Sequence, residues 1–301
     1  LEYMPTLEVN LPEDPTCAGD PIFRTFSWGS EVDVFILDER SCRSRDAQFE
    51  CATSPATVDL VPTLPDLPPP FNFRTQFRAQ LLGAGVPAAQ VDLLIPAAAS
   101  PACLAALGDP SRTVLGPVQK QALKDALAAS TASFKFIVNE YPIQEMLALP
   151  YDRWEGYGAE RAEILSFIRD FVSGHTIFIT ADTHADLVND VAINRFLNPA
   201  PIATEVVTGP VSTFTFAENL GGFAAGLGLP APFVVGAFHQ ILSIAGTQCR
   251  NLDIDSYALV EVDAVAGTAT ISVKDENGNP VPNANPFDPL NTSPCTRTVG
   301  P

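Results

Sequence analysis

The chain has 301 residues, enough to bury a core in one large or two small domains. Apolar residues make up 46%, which indicates a globular protein, and no apolar run approaches the ~18 residues of a membrane helix. The net charge of −18 argues against nucleic-acid binding by bulk charge, because that affinity requires clustered lysine and arginine.

The six cysteines are widely spaced and none forms a C-x-x-C motif, which argues against a zinc ribbon. An even number of cysteines fits disulfide bonds in an oxidising compartment, so we expect an exported protein: secreted, periplasmic or at the cell surface. Cys42 with Cys51 is the local pair that we expect, and Cys249 with Cys295 would tie down the tail. Six cysteines allow 15 connectivities, so spacing alone does not decide between them.

The first predicted elements are two strands, 21–28 and 31–37, around the turn Gly29-Ser30. Residues 74–106 are rich in alanine and leucine and are interrupted by three prolines, which predicts an inserted helical subdomain in several pieces. Its lining could shape substrate access, although ordinary packing is the alternative.

Helices and strands then alternate. A helix opens at Gly116-Pro117, a strand follows at 134–138, a helix runs over 159–172 and a strand over 176–181. This order is typical of an α/β layered fold, in which ligands gather at the carboxyl ends of the strands. Asn139 and Asp182 both follow such ends.

The last third predicts a strand at 204–208, helices near 217–227 and 233–245, and a hairpin of strands 256–263 and 268–274. His239 lies among apolar residues and is interpreted as a core or interface histidine. The segment 277–301 is rich in proline and asparagine and is expected to be a loop-like tail.

Asp182 and His184 are the candidate metal ligands. They follow the apolar run 176–181, and residues two apart in an extended chain point to the same side. A carboxylate and an imidazole that converge at a strand end suit a hard or borderline cation. The alternative is that Asp182 caps a turn and His184 satisfies a loop, since Asp-x-His is a short pattern.

Three segments together carry a resemblance. The first contains Leu37-Asp38-Glu39-Arg40, and the second runs from the strand ending in Asn139 to Asp152-Arg153-Trp154-Glu155-Gly156-Tyr157. The third is the strand that ends in Asp182-Thr183-His184. In this order they resemble the PhoD-like alkaline phosphatase/phosphodiesterase family over roughly residues 20–265. Phe134, where the family usually has tryptophan, and Ala181, where many members have glycine, depart from the pattern.

The resemblance implies a layered, metallophosphoesterase-like α/β sheet sandwich with flanking helices and a helical insertion. It also implies metal-dependent hydrolysis of phosphomonoesters or phosphodiesters by a metal-activated hydroxide, with iron and calcium as the cofactors. Asp182 and His184 would be metal ligands, and Arg40 would contact a phosphoryl oxygen, unless it pairs with Asp38 or Asp152.

Further residues, Asp38 among them, are candidates for supporting roles or for contact with the substrate. Asn139 would orient a ligand or a water, or cap the strand end. Trp154, with Glu155 and Arg161, would brace the site or simply pack. Asn189, with Asp190, would cap the next segment or hydrogen-bond to His184.

The family's other metal ligands lie in an amino-terminal half with Gly-Asp-x-x-Tyr and Asp-Asp-His-Glu segments, which this sequence lacks. We therefore expect residues 1–301 to form one domain, the carboxyl-terminal half of a larger catalytic domain, completed by a companion polypeptide. The alternative is a non-catalytic binding or structural protein on the same scaffold. No Gly-x-Ser-x-Gly elbow and no Walker-type loop occurs, which argues against other hydrolase classes.

Overall fold

The computed structural model describes residue 17, residues 22–55 and residues 57–301. These residues form twelve strands and seven α-helices. The strands are β1 (Arg24–Trp28), β2 (Val32–Ile36), β3 (Ala52–Ser54), β4 (Thr57–Val58), β5 (Phe134–Val138), β6 (His175–Thr180), β7 (Asp186–Val191), β8 (Ala203–Val207), β9 (Thr247–Asn251), β10 (Ser256–Asp263), β11 (Thr268–Asp275) and β12 (Thr296–Val299). The helices are α1 (Phe73–Gly83), α2 (Ala88–Leu94), α3 (Pro101–Leu107), α4 (Gly116–Ala129), α5 (Gly158–Phe171), α6 (Phe216–Gly226) and α7 (Ala231–Ala245). Short 3-10 helices cover Pro150–Asp152 and Trp154–Tyr157.

A seven-stranded sheet in the order β1-β2-β5-β6-β8-β7-β9 forms the centre of the protein. The four strands β2, β5, β6 and β8 run parallel, whereas β1, β7 and β9 are antiparallel to their neighbours. Phe35 of β2 pairs with Ile137 of β5, which pairs with Phe178 of β6. The turns that follow these three strands therefore meet at one edge of the sheet.

Side chains along a strand alternate between the two faces of the sheet, and both faces are covered. Strands of this kind are apolar throughout, so they can be recognised in the sequence. Phe35, Ile137 and Phe178 pack with α4 and α5 on one face. Phe136 and Ile177, one position away, lie in the cluster shared with the three-stranded sheet β10-β11-β12 on the other. The prediction of a mixed α/β fold with a large sheet and flanking helices is confirmed.

The helical segment predicted at 74–106 forms α1, α2 and α3. Phe77 and Val91 of this segment share an apolar cluster with Leu220 of α6 and Phe238 of α7. The segment is therefore packed onto the carboxyl-terminal helices. His239 of α7 is buried with 6% of its surface exposed, which agrees with the core role predicted for it. No helix in the described part of the chain combines the length and apolarity needed to cross a bilayer.

The predicted strands and helices named above all form, with ends that differ by a few residues. Five strands were missed, namely the short β3 and β4 and the strands β7, β9 and β12. β7 contains Asn189 and Asp190, which were interpreted as capping or supporting residues, and β9 has few apolar residues. β12 lies in the segment 277–301 and pairs with β11, so the loop interpretation was wrong for those four residues.

The cysteines form the pairs Cys17–Cys42, Cys51–Cys103 and Cys249–Cys295. The predicted Cys249–Cys295 bond is confirmed, whereas the predicted Cys42–Cys51 pair is wrong. Proximity in sequence misled here because Cys51 packs against α3, where Cys103 lies in the same buried cluster. Among the described residues no cysteine is free.

Candidate functional site

The candidate site lies where β2, β5 and β6 end. The turn after β2 carries Arg40 and Arg43, the segment after β5 carries Glu140 and Tyr141, and the turn after β6 carries the pair Asp182 and His184. Because the three strands are parallel neighbours, their carboxyl ends place these turns side by side.

Asp182 and His184 stand in tight turns rather than on an extended strand. β6 ends at Thr180, and the N–H of Thr183 donates to the carbonyl of Ala181 over 2.8 Å. Asp182 has φ +63° and His184 has φ +60°, a backbone region that residues other than glycine rarely adopt. The expectation that extended geometry aligns the two side chains was therefore wrong, because the strand stops short of both residues.

The imidazole of His184 is held by the backbone. Its Nδ1 lies 2.5 Å from the carbonyl oxygen of Phe214, just before α6. Since a carbonyl only accepts, Nδ1 carries a proton, and in the neutral ring the lone pair would be on Nε2. A backbone acceptor on one ring nitrogen is the arrangement that commonly orients a metal-binding histidine.

The carboxyl of Asp182 lies in a field of other charges. Burial raises its pKa, and the carboxylates of Asp152 and Glu140 raise it further, while Arg40 and His184 oppose them. Charged side chains that follow β2 and β5, as well as His184 on the same turn, therefore affect the pKa of Asp182. A cation at this position would relieve the repulsion among the carboxylates.

Arg40 pairs with Glu140, not with Asp38 or Asp152, so the expected ion-pair partners were wrong. Its Nε lies 2.8 and 2.9 Å from the two carboxylate oxygens, and its Nη2 lies 2.5 Å from Oε1. Asp152 instead accepts from Nη1 of Arg43 over 2.6 Å. Parallel pairing of β2 and β5 explains the choice, because Arg40 and Glu140 follow adjacent strand ends.

Asp38 orders the turn that carries Arg40 and makes no contact with the other candidates' side chains. It is buried and accepts hydrogen bonds from the N–H groups of Ile22, Arg40 and Ser41 and from the Ser41 hydroxyl, over 2.6 to 3.0 Å. Burial alone would raise its pKa, but these hydrogen bonds hold it below the usual value. Asp38 is therefore an ionised cap.

Asn139 ties the ends of two strands together. Its Oδ1 accepts from the hydroxyl of Thr180 over 2.8 Å, and its Nδ2 donates to the carbonyl of Tyr141. Both groups of the amide are thus used within the protein. This agrees with the strand-end cap considered for it.

Trp154 supports the site from beneath. It is fully buried, and its Nε1 donates to Oε1 of Glu39 over 2.8 Å. The other oxygen of Glu39 accepts from the N–H groups of Glu140 and Tyr141 over 2.9 and 2.8 Å. Burial raises the pKa of Glu39 to about 8. Trp154 therefore braces the segment after β5, as the brace interpretation expected.

Glu155 and Arg161 complete this support. Glu155 accepts from the N–H groups of Met146 and Leu147, and the Arg161 guanidinium donates to the carbonyls of Ile143, Ala192 and Ile193. Both charged side chains therefore stabilise the backbone of the segments that they contact.

Asn189 and Asp190 do not reach His184. The Asn189 amide donates to Glu205 over 2.9 Å, and Asp190 pairs with Arg297 over 2.5 Å. Both residues lie within β7, which runs away from the turn, so the expected hydrogen bond to His184 was wrong.

Sequence reasoning overlooked Glu140, Tyr141 and Arg43 as site residues. The signal was present, because Glu140 and Tyr141 directly follow Asn139 at a strand end, and Arg43 is three residues beyond Arg40. What the sequence lacked was the neighbour relation between β2 and β5.

A metal ion would find part of a site here. Asp182 offers a partly buried carboxylate that solvent still reaches, and His184 offers a ring oriented by the backbone, a donor pair that suits borderline and hard cations. In the described ranges no group of three or more His, Cys, Asp or Glu side chains is placed to hold a metal. Asp182 and His184 are therefore two suitable donors and do not make a complete metal site by themselves.

Three comparisons with known proteins each gave a match. Residues 1–236 match the family described as PhoD-like phosphatase. Alkaline phosphatase D of Bacillus subtilis (strain 168) is 28% identical over 98 residues, which cover 29% of this chain and 16% of that protein. The solved structure of PhoD has the same fold, with a TM-score of 0.57 at 17% identity, and the match covers 99% of this chain. The chain spans 44% of that protein.

Proposed function

Because the chain belongs to the PhoD-like phosphatase family, we propose that it hydrolyses phosphomonoesters or phosphodiesters with a bound metal ion. The observation that carries the proposal is that Asp182, His184 and two arginines lie in neighbouring turns at the carboxyl ends of the parallel strands β2 and β6. Carboxylate and imidazole suit a metal, and guanidinium suits a phosphoryl group.

Asp182 and His184 are the residues that would hold the metal. A bound cation would supply Lewis-acid stabilisation of the developing phosphoryl charge and lower the pKa of a water molecule. By resemblance to the family, we propose iron and calcium. The hydrogen bond from His184 Nδ1 to the Phe214 carbonyl orients the ring and leaves Nε2 as the nitrogen that would bind the metal.

Arginines supply the local positive charge that the rest of the chain lacks. With a net charge of −18, the protein as a whole repels a phosphate ester, so attraction has to be local. Arg40 is exposed on its turn and is proposed to contact a phosphoryl oxygen. Asp38 and Glu39 hold that turn and the neighbouring segment in place.

We also propose that ligands from outside the described residues complete the site. The observation that supports it is that the described residues offer two metal donors from one turn. The two sheets would then belong to a metallophosphoesterase-like sandwich, and the three disulfides favour an exported location.

The test is turnover of p-nitrophenyl phosphate and bis-p-nitrophenyl phosphate by the protein purified with any chain that accompanies it. Asp182→Asn and His184→Gln are expected to lower kcat/KM about a hundredfold and to reduce metal content. Asp125→Asn, on the exposed surface of α4, and His175→Gln, at the opposite end of β6, are matched controls that should retain both.

Retained turnover and metal in both ligand variants would show that the assignment is wrong. A wild-type protein with neither turnover nor metal would support the non-catalytic alternative on the same scaffold.

A further inference from the structure

A cavity of about 60 Å³ lies between the helical segment 74–106 and the carboxyl-terminal helices. The helices α1, α2, α6 and α7 all contribute to its wall, through Phe77, Leu94, Phe223 and Phe238 respectively. At about 10–15 Å³ for each water-sized sphere, the cavity has room for roughly five of them. Voids of this size are few in a close-packed protein interior, so this one requires an explanation.

The wall of the cavity is apolar. Gln80 has the only polar side chain among the described residues that line it. The Gln80 side chain is exposed, and its Nε2 donates to Oε1 of Gln240 over 3.2 Å. A buried water molecule needs about two to four polar partners, which the other lining side chains do not provide. The cavity is therefore suited to an apolar group rather than to water.

The cavity has an entrance at the protein surface. Phe223 of α6 has 38% of its surface exposed, and Gln80 of α1 is exposed as well, although both line the cavity. Val61, Phe77 and Val234 on the same wall are buried. One side of the cavity thus meets solvent and the other meets the core, so a ligand can enter between α1 and α6.

The surroundings of the cavity exclude an ionic ligand. None of residues 219–249, which include most of α6 and all of α7, is Asp, Glu, Lys or Arg. Burial and the nearby Arg250 charge lower the pKa of His239 in α7 to about 4, so this side chain is neutral at pH 7. A charged group placed among the lining residues would lose its hydration without gaining a partner. The polar part of a ligand therefore has to stay at the entrance.

The cavity is separate from the candidate metal site. Phe216 lies between them, because its N–H donates to the carbonyl of His184 over 2.7 Å and its ring packs edge-on against Phe238 with 5.3 Å between the ring centres. Neither Asp182 nor His184 lines the cavity. Binding in the cavity is therefore independent of whether the protein hydrolyses phosphate esters.

We propose that this cavity binds the end of an unbranched alkyl chain, while the polar head of the ligand stays at the entrance beside the Gln80 amide. An alkyl chain matches the apolar wall, and it is narrow enough for a cavity smaller than those of about 150 Å³ that hold a benzene ring. The hydrogen bond between Gln80 and Gln240 is exposed, so Gln80 exchanges it for one to a ligand hydroxyl at little cost.

The experiment is an NMR titration of the full chain with 1-hexanol, and hexane-1,6-diol is the matched probe. We expect saturable binding of 1-hexanol with a Kd of about 1 to about 10 mM, because only a few methylene groups are buried. The diol should bind at least about tenfold more weakly, because its second hydroxyl would enter the apolar cavity without a hydrogen-bond partner.

Variants that fill the cavity give a second test. Ala237→Leu fills it from α7 and should weaken 1-hexanol binding at least about tenfold, while the midpoint of thermal denaturation stays the same or rises. Leu81→Phe fills it from α1 and should weaken binding equally, so the result does not depend on the folding of one variant. Ala225→Leu is the matched control, because Ala225 is exposed on α6 and does not line the cavity. It should leave the affinity unchanged.

Absence of saturable binding by the wild type up to about 50 mM 1-hexanol would overturn the proposal, as would equal affinities for the alcohol and the diol. Unchanged affinity in folded Ala237→Leu and Leu81→Phe would also overturn it. A loss in Ala225→Leu equal to that in Ala237→Leu would show that the surface of the helices, not the cavity, binds the alcohol. These measurements involve neither metal nor turnover, so their failure is distinguishable from failure of the proposed hydrolysis.

Discussion

Asp182 is held in a backbone conformation that favours glycine. Its φ is +63°, and the hydrogen bond from Thr183 N–H to the Ala181 carbonyl closes a three-residue turn around it. Turns of this kind with positive φ at the centre are rare and strained. Such strain persists where the surroundings impose it, and it is common at functional sites. At this turn the carboxyl is close enough to Asp152, Glu140, Arg40 and His184 for their charges to affect its pKa.

We predict that Asp182→Gly separates stability from activity. Glycine adopts positive φ without penalty, so the free energy of unfolding should stay the same or rise by about 1 kcal/mol. Phosphatase turnover should fall to the level of Asp182→Asn, because the carboxyl is gone. Urea denaturation and kcat/KM, measured on the same preparations, check this. A marked loss of stability would mean that the Asp182 side chain holds the fold.

His239 gives a prediction for acid stability. Burial, with the nearby Arg250 charge, lowers its pKa to about 4 from an ordinary value of 6.5. The folded protein therefore binds this proton less readily than the unfolded chain. The stability linked to His239 is present above pH 6.5 and is lost as the pH falls toward 4.

His239→Leu should remove that loss. Relative to the wild type, its free energy of unfolding should gain about 2 kcal/mol between about pH 7 and about pH 4.5. His175→Leu, which alters a half-buried histidine, is the control and should keep the wild-type slope in this comparison. A His239→Leu variant that loses stability in parallel with the wild type would contradict the assignment.

Three buried glutamates hold successive parts of the segment between β5 and the short helix at Pro150–Asp152. Glu39 accepts from the N–H groups at 140 and 141, Glu205 from those at 143 and 144, and Glu155 from those at 146 and 147. A segment without regular structure would otherwise leave these amides unpaired inside the protein. The glutamates thereby fix the segment that begins with Glu140 and Tyr141.

We predict that Glu205→Gln destabilises the protein by about 2–4 kcal/mol. Each oxygen of Glu205 accepts from a backbone N–H, one from Ile143 and the other from Gln144, so the amide nitrogen of glutamine faces a donor in either orientation. Glu218→Gln is the matched control. One of its oxygens accepts from Thr215 N–H in a capping box, a role that glutamine also fills. Equal denaturation midpoints for the two variants would refute the argument.

The elements that could be predicted are those whose pattern is local. β5 and β6 are apolar runs because both their faces are covered, and α4 and α5 carry a periodic apolar stripe. β7 has the sequence Asp-Leu-Val-Asn-Asp-Val, and its buried Asn189 and Asp186 hydrogen-bond to Glu205 and Ser256 from distant parts of the chain. The tertiary fold brings these partners to β7, so the sequence pattern of β7 alone indicated a turn instead of a strand.

The site, too, was predictable only where its residues lie next to a recognisable strand. Asp182, His184 and Arg40 stand out because each follows an apolar strand. The pairing of Arg40 with Glu140, and of Asn189 with Glu205, depends on which strands are neighbours. The disulfide partner of Cys42 was missed for the same reason, since spacing along the chain does not report proximity in space.

At the scale of the whole molecule, an acidic chain presents a compact group of arginines and metal donors at one edge of its central sheet. Asp182 and His184 on one of its turns are the proposed metal donors, and no group of three or more such side chains occurs among the described residues. We therefore propose that Asp182 and His184 bind metal at a phosphoesterase site.

Native mass spectrometry of the purified protein tests that claim most directly, because it reports bound metals and partner chains in one spectrum. We expect the wild-type protein to carry the mass of bound metal ions, and we expect that added mass to be absent in Asp182→Asn. A wild-type spectrum at the mass of the single chain, without metal, would contradict it.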